Sequence, residues 1–233
     1  MVFTKLSRAL LLVSLLSLCT QSLDDEFDVE VLAEIIKHFH DKFQQTQYAA
    51  AINVPKNNVF SFLEEASNVR EHLETNLIYE GTELIVAKFS KDRHSEDLLM
   101  NPPKQSLLTK LLNKKGLDGC VVFYTLLSPC IDKCLSNNNN NILPGLDELK
   151  VHTGIKAFAF THIYRPDQDK NDLHAELGKV AERVPLYRCF YKCILCGKPG
   201  STTPIKEVCT WESKLFLEYI NKLYNYTQSN ASG

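Results

Sequence analysis

Two late strand candidates, Lys156 to Tyr164 (KAFAFTHIY) and Leu186 to Tyr191 (LYRCFY), stand about twenty residues apart, with Leu173, Leu177, Val180 and Val184 near helical spacing between them. That interval decides the topology. An antiparallel pair can close through a short turn, whereas a parallel pair needs a crossover of a dozen or more residues, usually a helix. The last two strands are therefore expected to be parallel. Tyr48 to Val54, Glu83 to Phe89 and Val121 to Leu127 are the other β-rich runs, so the chain reads as an α/β fold with five strands in one mixed sheet and helices on both faces. Val31, Leu32, Ile35, Ile36, Phe39 and Phe43 predict an amphipathic first helix behind a run of acids. Ser61 to Glu74 predicts a second helix, and Trp211, Leu215, Phe216, Tyr219, Ile220 and Leu223 a last one.

With 233 residues, 44% of them hydrophobic and 23% charged, the chain can bury a sizeable core, and its composition argues against disorder, collagen and coiled coil. Lys5 and Arg8, the apolar run Ala9 to Leu18 and the small residues that follow read as a cleaved secretory signal over residues 1–22. Ten apolar residues fall short of the roughly 20 that span a bilayer, and no later run is longer, so a secreted protein with no membrane anchor is expected. Residues 23–223 then form a single domain, and residues 224–233 an exposed tail with N-glycosylation sequons at Asn225 and Asn230. The formal net charge of −2 becomes −4 once Lys5 and Arg8 are removed, which gives no support to coating of duplex nucleic acid by bulk charge. A local exception lies in residues 88–115, where seven bases face three acids and a groove for a single strand could form.

The chemistry concentrates behind two strands. After Phe89 comes a His-x-Glu triplet, His94-Ser-Glu96, and after Leu127 comes Ser128-Pro129-Cys130-x3-Cys134. One His and two Cys are three zinc ligands, and Glu96 is a carboxylate that need not bind metal, which is the inventory of a catalytic Zn2+ site with an open fourth position. Ser128 is expected to cap a helix and Pro129 to open it. Cys130 would then sit at the positive end of the helix dipole, with Cys134 one turn further along the same face. A second triplet, His174-Ala-Glu176, falls inside the crossover helix and is expected on the surface.

The triplet HSE, the motif SPCIDKC, the strand VVFYTLL leading into it and FTHIYRPD after the fourth strand together resemble the AID/APOBEC-like zinc-dependent nucleobase deaminases over roughly residues 83–190. That resemblance implies a cytidine-deaminase-like fold with its last two strands parallel. It implies Zn2+ held by His94, Cys130 and Cys134, Glu96 as proton shuttle, and Tyr164 and Arg165 as contacts to a neighbouring nucleotide. The signal and the extra Cys look like the secreted vertebrate branch, whose proposed role is in immunity. The implied reaction turns cytosine into uracil in single-stranded DNA or RNA. A free nucleoside or a modified base is the alternative substrate, and a non-catalytic secreted binding protein on the same scaffold is a third reading. Leu127 departs from the family pattern, because many members carry Trp there.

Cys120, Cys189, Cys193, Cys196 and Cys209 remain outside the zinc set. The last four match the spacing of a structural zinc site, but an oxidising compartment favours disulfides, with at least one bond from Cys209 to Cys189, Cys193 or Cys196. Sequence does not choose among the pairings, nor does it indicate an oligomeric state. The run Asn137 to Asn141 reads as a solvated, tolerant loop.

Overall fold

The computed structural model describes residues 26–43, 47–115 and 119–231; the expected signal segment lies outside them. Asp28 caps the first helix, α1 (Val29–Phe43), its Oδ1 accepting from the amides of Glu30 and Val31 at 2.8 and 3.1 Å. Strand β1 (Tyr48–Val54) follows, then two short helices, α2 (Leu63–Ala66) and α3 (Val69–Thr75). They replace the single helix expected over 61–74, because the Ser67 hydroxyl turns back to the Glu64 carbonyl at 2.7 Å and ends the first of them. Next come β2 (Ile78–Glu80), β3 (Leu84–Lys88), α4 (Ser95–Met100), α5 (Leu107–Lys115) and β4 (Cys120–Leu127). A five-residue π-helical turn (Ile131–Leu135) leads to α6 (Leu143–Val151), β5 (Ile155–His162) and α7 (Leu173–Ala181). The chain ends with β6 (Leu186–Cys189), β7 (Cys193–Gly197) and α8 (Ser213–Ala231).

The seven strands form one sheet in the order β2-β3-β1-β4-β5-β6-β7, two more than the five expected. All five expected strands are present. The additions are edge strands, each closing an antiparallel hairpin with its neighbour in sequence. The pairs β4–β5 and β5–β6 are parallel, joined by crossovers that contain α6 and α7, as the interval before Leu186 requires. Alternate strand residues face opposite layers. Ala50, Ile52, Val122, Tyr124 and Ala159 pack under α1 to α3, while Ala49, Ala51, Val121, Phe123 and Phe160 pack under α4 to α8 together with Cys130 and Cys134.

Strand direction places the site. Because β1 is antiparallel to both β3 and β4, those two strands run the same way, and the parallel pairs carry that direction on through β5 and β6. Residues that follow β3, β4 and β5 therefore leave the sheet at one edge, and so does Gln47, which enters β1. That edge is the carboxyl end of the strands, where α/β sheets hold their ligands.

Candidate active site

A cleft of about 400 Å³ opens at this edge, and Phe89, His94, Glu96, Leu127, Cys130 and Tyr164 are among its walls. His94 Nδ1 lies 3.4 Å from Cys130 Sγ and 3.4 Å from Cys134 Sγ, and the two sulfurs are 3.6 Å apart. Ligands at zinc bond lengths in a tetrahedron are separated by roughly 3.5 to 3.8 Å, so the three atoms already form one face of such a tetrahedron. Among the described residues no other group of three or more His, Cys, Asp or Glu side chains is placed to hold a metal ion. Donor type and spacing both fit Zn2+. The hydrogen bond with Cys134, aided by His94, pulls the Cys130 pKa down to about 4, and that same interaction pushes the Cys134 pKa up.

Cys130 does not sit inside an α-helix as the sequence suggested. It is the extended residue (φ −74°, ψ 143°) before the π-helical turn, and its carbonyl accepts from both Cys134 N and Leu135 N at 3.0 and 3.1 Å. Ser128 is not a helix cap either: its hydroxyl accepts from Tyr164 N at 3.0 Å and its amide donates to His162 O at 2.7 Å, which ties the loops after β4 and β5 together. The free amide at the head of the turn, Ile131 N, donates to Asp167 Oδ2 at 2.8 Å, and Lys170 bridges Asp167 and Asp132 at 2.8 Å each. His94 stands at the N-cap position of α4 in the same extended conformation, without a side-chain capping bond, and Arg93 steadies that end by pairing with Asp97 at 2.6 Å.

Glu96 is 2% exposed. Thr125 donates to its Oε1 at 2.9 Å and Ser95 to its Oε2 at 3.1 Å. Burial pushes the carboxyl pKa up, and a backbone amide with these two hydroxyls opposes the rise. Each oxygen keeps a further acceptor position, so the group can take up and release a proton at the cleft wall.

The model of the family described as Secreted Novel AID/APOBEC-like Deaminase 1 matches residues 29–209. The chain belongs to this family. No curated protein and no solved structure matches it. As a Secreted Novel AID/APOBEC-like Deaminase 1 family member it has a cytidine-deaminase fold, and its description names a secreted group. Two disulfides, Cys189–Cys193 and Cys196–Cys209, accord with an oxidising compartment and take up the four late Cys that could otherwise have held a second metal. Cys120 is not free, whereas Cys130 and Cys134 keep their thiols. No helix among the described residues is long and apolar enough to cross a membrane.

Of the expected substrate contacts, Tyr164 lines the cleft of this family member, while Arg165 opens a 3-10 turn and lines a neighbouring depression with Gln168, Glu212 and Lys214. His174 is partly buried and serves the Ile205 carbonyl, and Glu176 pairs with Lys179, so the second triplet is structural. Asn141 Oδ1 accepts from Leu143 N at 2.9 Å at the head of α6, which makes the asparagine run less tolerant than its composition suggested. Asn225 is exposed on α8. Three cations of the 88–115 run are committed within the protein: Lys88 to the Leu73 carbonyl, Arg93 to Asp97, and Lys114 to Gly81 O and Glu80. Sequence reasoning missed Gln47, Phe89, Ser95, Thr125 and Asp167. A hydroxyl inside the apolar run VVFYTLL was the available signal for Thr125, since a buried hydroxyl needs a partner.

Proposed function

We propose that this protein is a secreted, zinc-dependent hydrolase that converts cytosine to uracil in single-stranded DNA or RNA. One observation carries the reading: a buried carboxylate, Glu96, lines the same cleft as His94 and Cys130, two of the three donors that Cys134 completes from beneath the surface. Zinc held by those three residues supplies the Lewis acidity that makes water a nucleophile near neutral pH. Glu96 takes the proton that water loses as it adds to C4 and delivers it to the departing amine, so that water and cytosine give uracil and ammonia. Thr125 and Ser95 hold the two carboxylate oxygens, and the surrounding burial keeps competing water away from the group. Secretion through residues 1–22, glycans at Asn225 and Asn230 and a role against foreign nucleic acid belong to this proposal. Glu96→Gln should retain stoichiometric zinc and lose turnover. Turnover at the wild-type rate in that variant, or wild-type protein without zinc, would overturn the assignment.

A second reading, deamination of a free nucleoside, is favoured by the commitment of Lys88, Arg93 and Lys114 to internal partners, which leaves less positive charge for a phosphate backbone. Salt separates the two. Turnover of an oligonucleotide bound through Lys and Arg falls steeply as salt rises, and turnover of uncharged cytidine does not.

A further inference from the structure

Phe89 directly follows β3, its amide donates to the Gln47 carbonyl at 3.1 Å, and its ring lies 5.7 Å from the His94 ring at a tilt of 59°. The side chain is 46% exposed. β3 does not depend on that ring for its packing, since Leu84 to Ala87 are already buried on the two faces of the sheet. A ring whose whole task was to shield His94 would be covered on its far side by protein. Phe89 is instead half-exposed and is one of the walls of the cleft, as is the aliphatic Leu127. Tyr164, another aromatic residue of the cleft, packs against the core of the metal-bearing face and so is partly committed elsewhere. Gln47, whose backbone holds the Phe89 amide and which also lines the cleft, has a buried amide oxygen with no hydrogen-bond partner among the described residues.

We infer that Phe89 is the stacking platform for the substrate base, a specificity-determining residue that selects flat heteroaromatic ligands and holds them in the cleft. The inference rests on reading this cleft as a nucleobase deaminase site. Every base has a π face, so a stacking ring provides affinity without choosing among bases, and its loss weakens binding rather than chemistry.

The test uses zinc-loaded Glu96→Gln protein, which holds substrate without turning it over, and a short oligodeoxynucleotide with one dC, compared with the same strand carrying an abasic site there. Phe89→Ala should weaken binding of the dC strand by roughly 5- to 150-fold and leave the abasic strand nearly unaffected. Phe89→Leu keeps the apolar contact with His94 and should still lose most of the gain, whereas Phe89→Tyr and Phe89→Trp should stay within about threefold of the parent. Adding Leu127→Trp to Phe89→Ala, which puts a ring back on another wall of the cleft, should restore part of the affinity. In protein with Glu96 intact, KM rises while kcat holds. Equal binding by the parent and by Phe89→Leu overturns the platform and leaves the deaminase reading standing. Loss of zinc together with binding in both Phe89→Ala and Phe89→Leu makes Phe89 a support for His94 and overturns the platform as well. Failure of the parent to bind dC strand or cytidine overturns both readings.

Discussion

The hydroxyl of Thr125 reaches Glu96 Oε1 at 2.9 Å from a strand in the middle of the sheet, and both groups are buried. The carboxylate of α4 is thereby fixed to β4, the strand that also leads into Cys130. The buried carboxylate and the two Cys that could hold a metal thus share one rigid support, which is what positioning to a fraction of an ångström requires.

Thr125→Val keeps the shape and removes the donor. A buried carboxylate with one partner fewer is harder to ionise, so its pKa, already raised by burial, rises further. Glu96 accepts a proton in its ionised form, and the acidic limb of the kcat/KM profile should therefore move to higher pH. At neutral pH kcat should fall by about tenfold with zinc content unchanged. An unmoved pH profile would show that the contact has no part in catalysis.

Asp167 plays the corresponding role for the two Cys of the candidate metal group. It is 1% exposed and accepts from Ile131 N at 2.8 Å, which holds the turn between Cys130 and Cys134 in place. Asp167→Ala should weaken zinc retention by roughly 10- to 100-fold in competition with a chelator, and Asp167→Asn, which keeps an acceptor, by less. Equal retention in all three proteins would refute it.

These supports explain what the sequence did and did not disclose. His94 with Glu96, and Cys130 with Cys134, are pairs two and four residues apart, so their chemistry is written in local spacing. The partners of Thr125 and Asp167 lie 29 and 36 residues away along the chain, and only the folded sheet brings them together. The five interior strands were legible as apolar, β-rich runs. β2 has three residues, none of them buried, which is too short for a period of two to register. β7 is hidden in CILCG, where two Cys and a following Gly-Lys-Pro-Gly read as an irregular loop. The turn at Cys130 was misread because Ser-Pro is a strong opening for a helix, whereas here the Ser128 hydroxyl is engaged by Tyr164 N and the turn closes on Cys130 O instead.

Two histidines give the fold an acid limit. His40 lies 3.0 Å from the Tyr124 hydroxyl and His162 Nδ1 lies 3.0 Å from Ser213 Oγ; burial lowers both pKa values, and Arg188 lowers that of His162 further. A histidine that stays neutral in the fold binds its proton more readily in the unfolded chain, so stability is full above the ordinary value of 6.5 and declines as pH falls through it. The melting temperature should drop between about pH 7 and pH 5. His162→Gln, which cannot charge, should reduce that drop, and an identical pH dependence in the variant would exclude His162 as its source.

The late disulfides should stabilise the fold unequally and leave the metal alone. Cys196–Cys209 spans 13 residues and fastens β7 to the segment before α8, whereas Cys189–Cys193 spans 4 and closes only the tip of the β6–β7 hairpin. Loop-closure entropy gives about 3 kcal/mol for the longer loop and about 2 kcal/mol for the shorter. The longer bond is reinforced from the other side: the buried Arg188 donates to Trp211 O at 2.6 Å and to the carbonyls of Val208 and Cys209 at 3.4 Å, with its guanidinium 4.2 Å from the Phe216 ring. Reduction of Cys196–Cys209 should therefore loosen a segment that Arg188 still holds, lowering stability without disturbing His94, Cys130 and Cys134. Cys196→Ala with Cys209→Ala should cost more in urea unfolding than Cys189→Ala with Cys193→Ala, at equal zinc content. In native zinc-loaded protein, non-reducing peptide mapping should recover both late bonds and find Cys130 and Cys134 unlinked. A peptide joining either of them to a late Cys would contradict the disulfide pattern and the zinc site together.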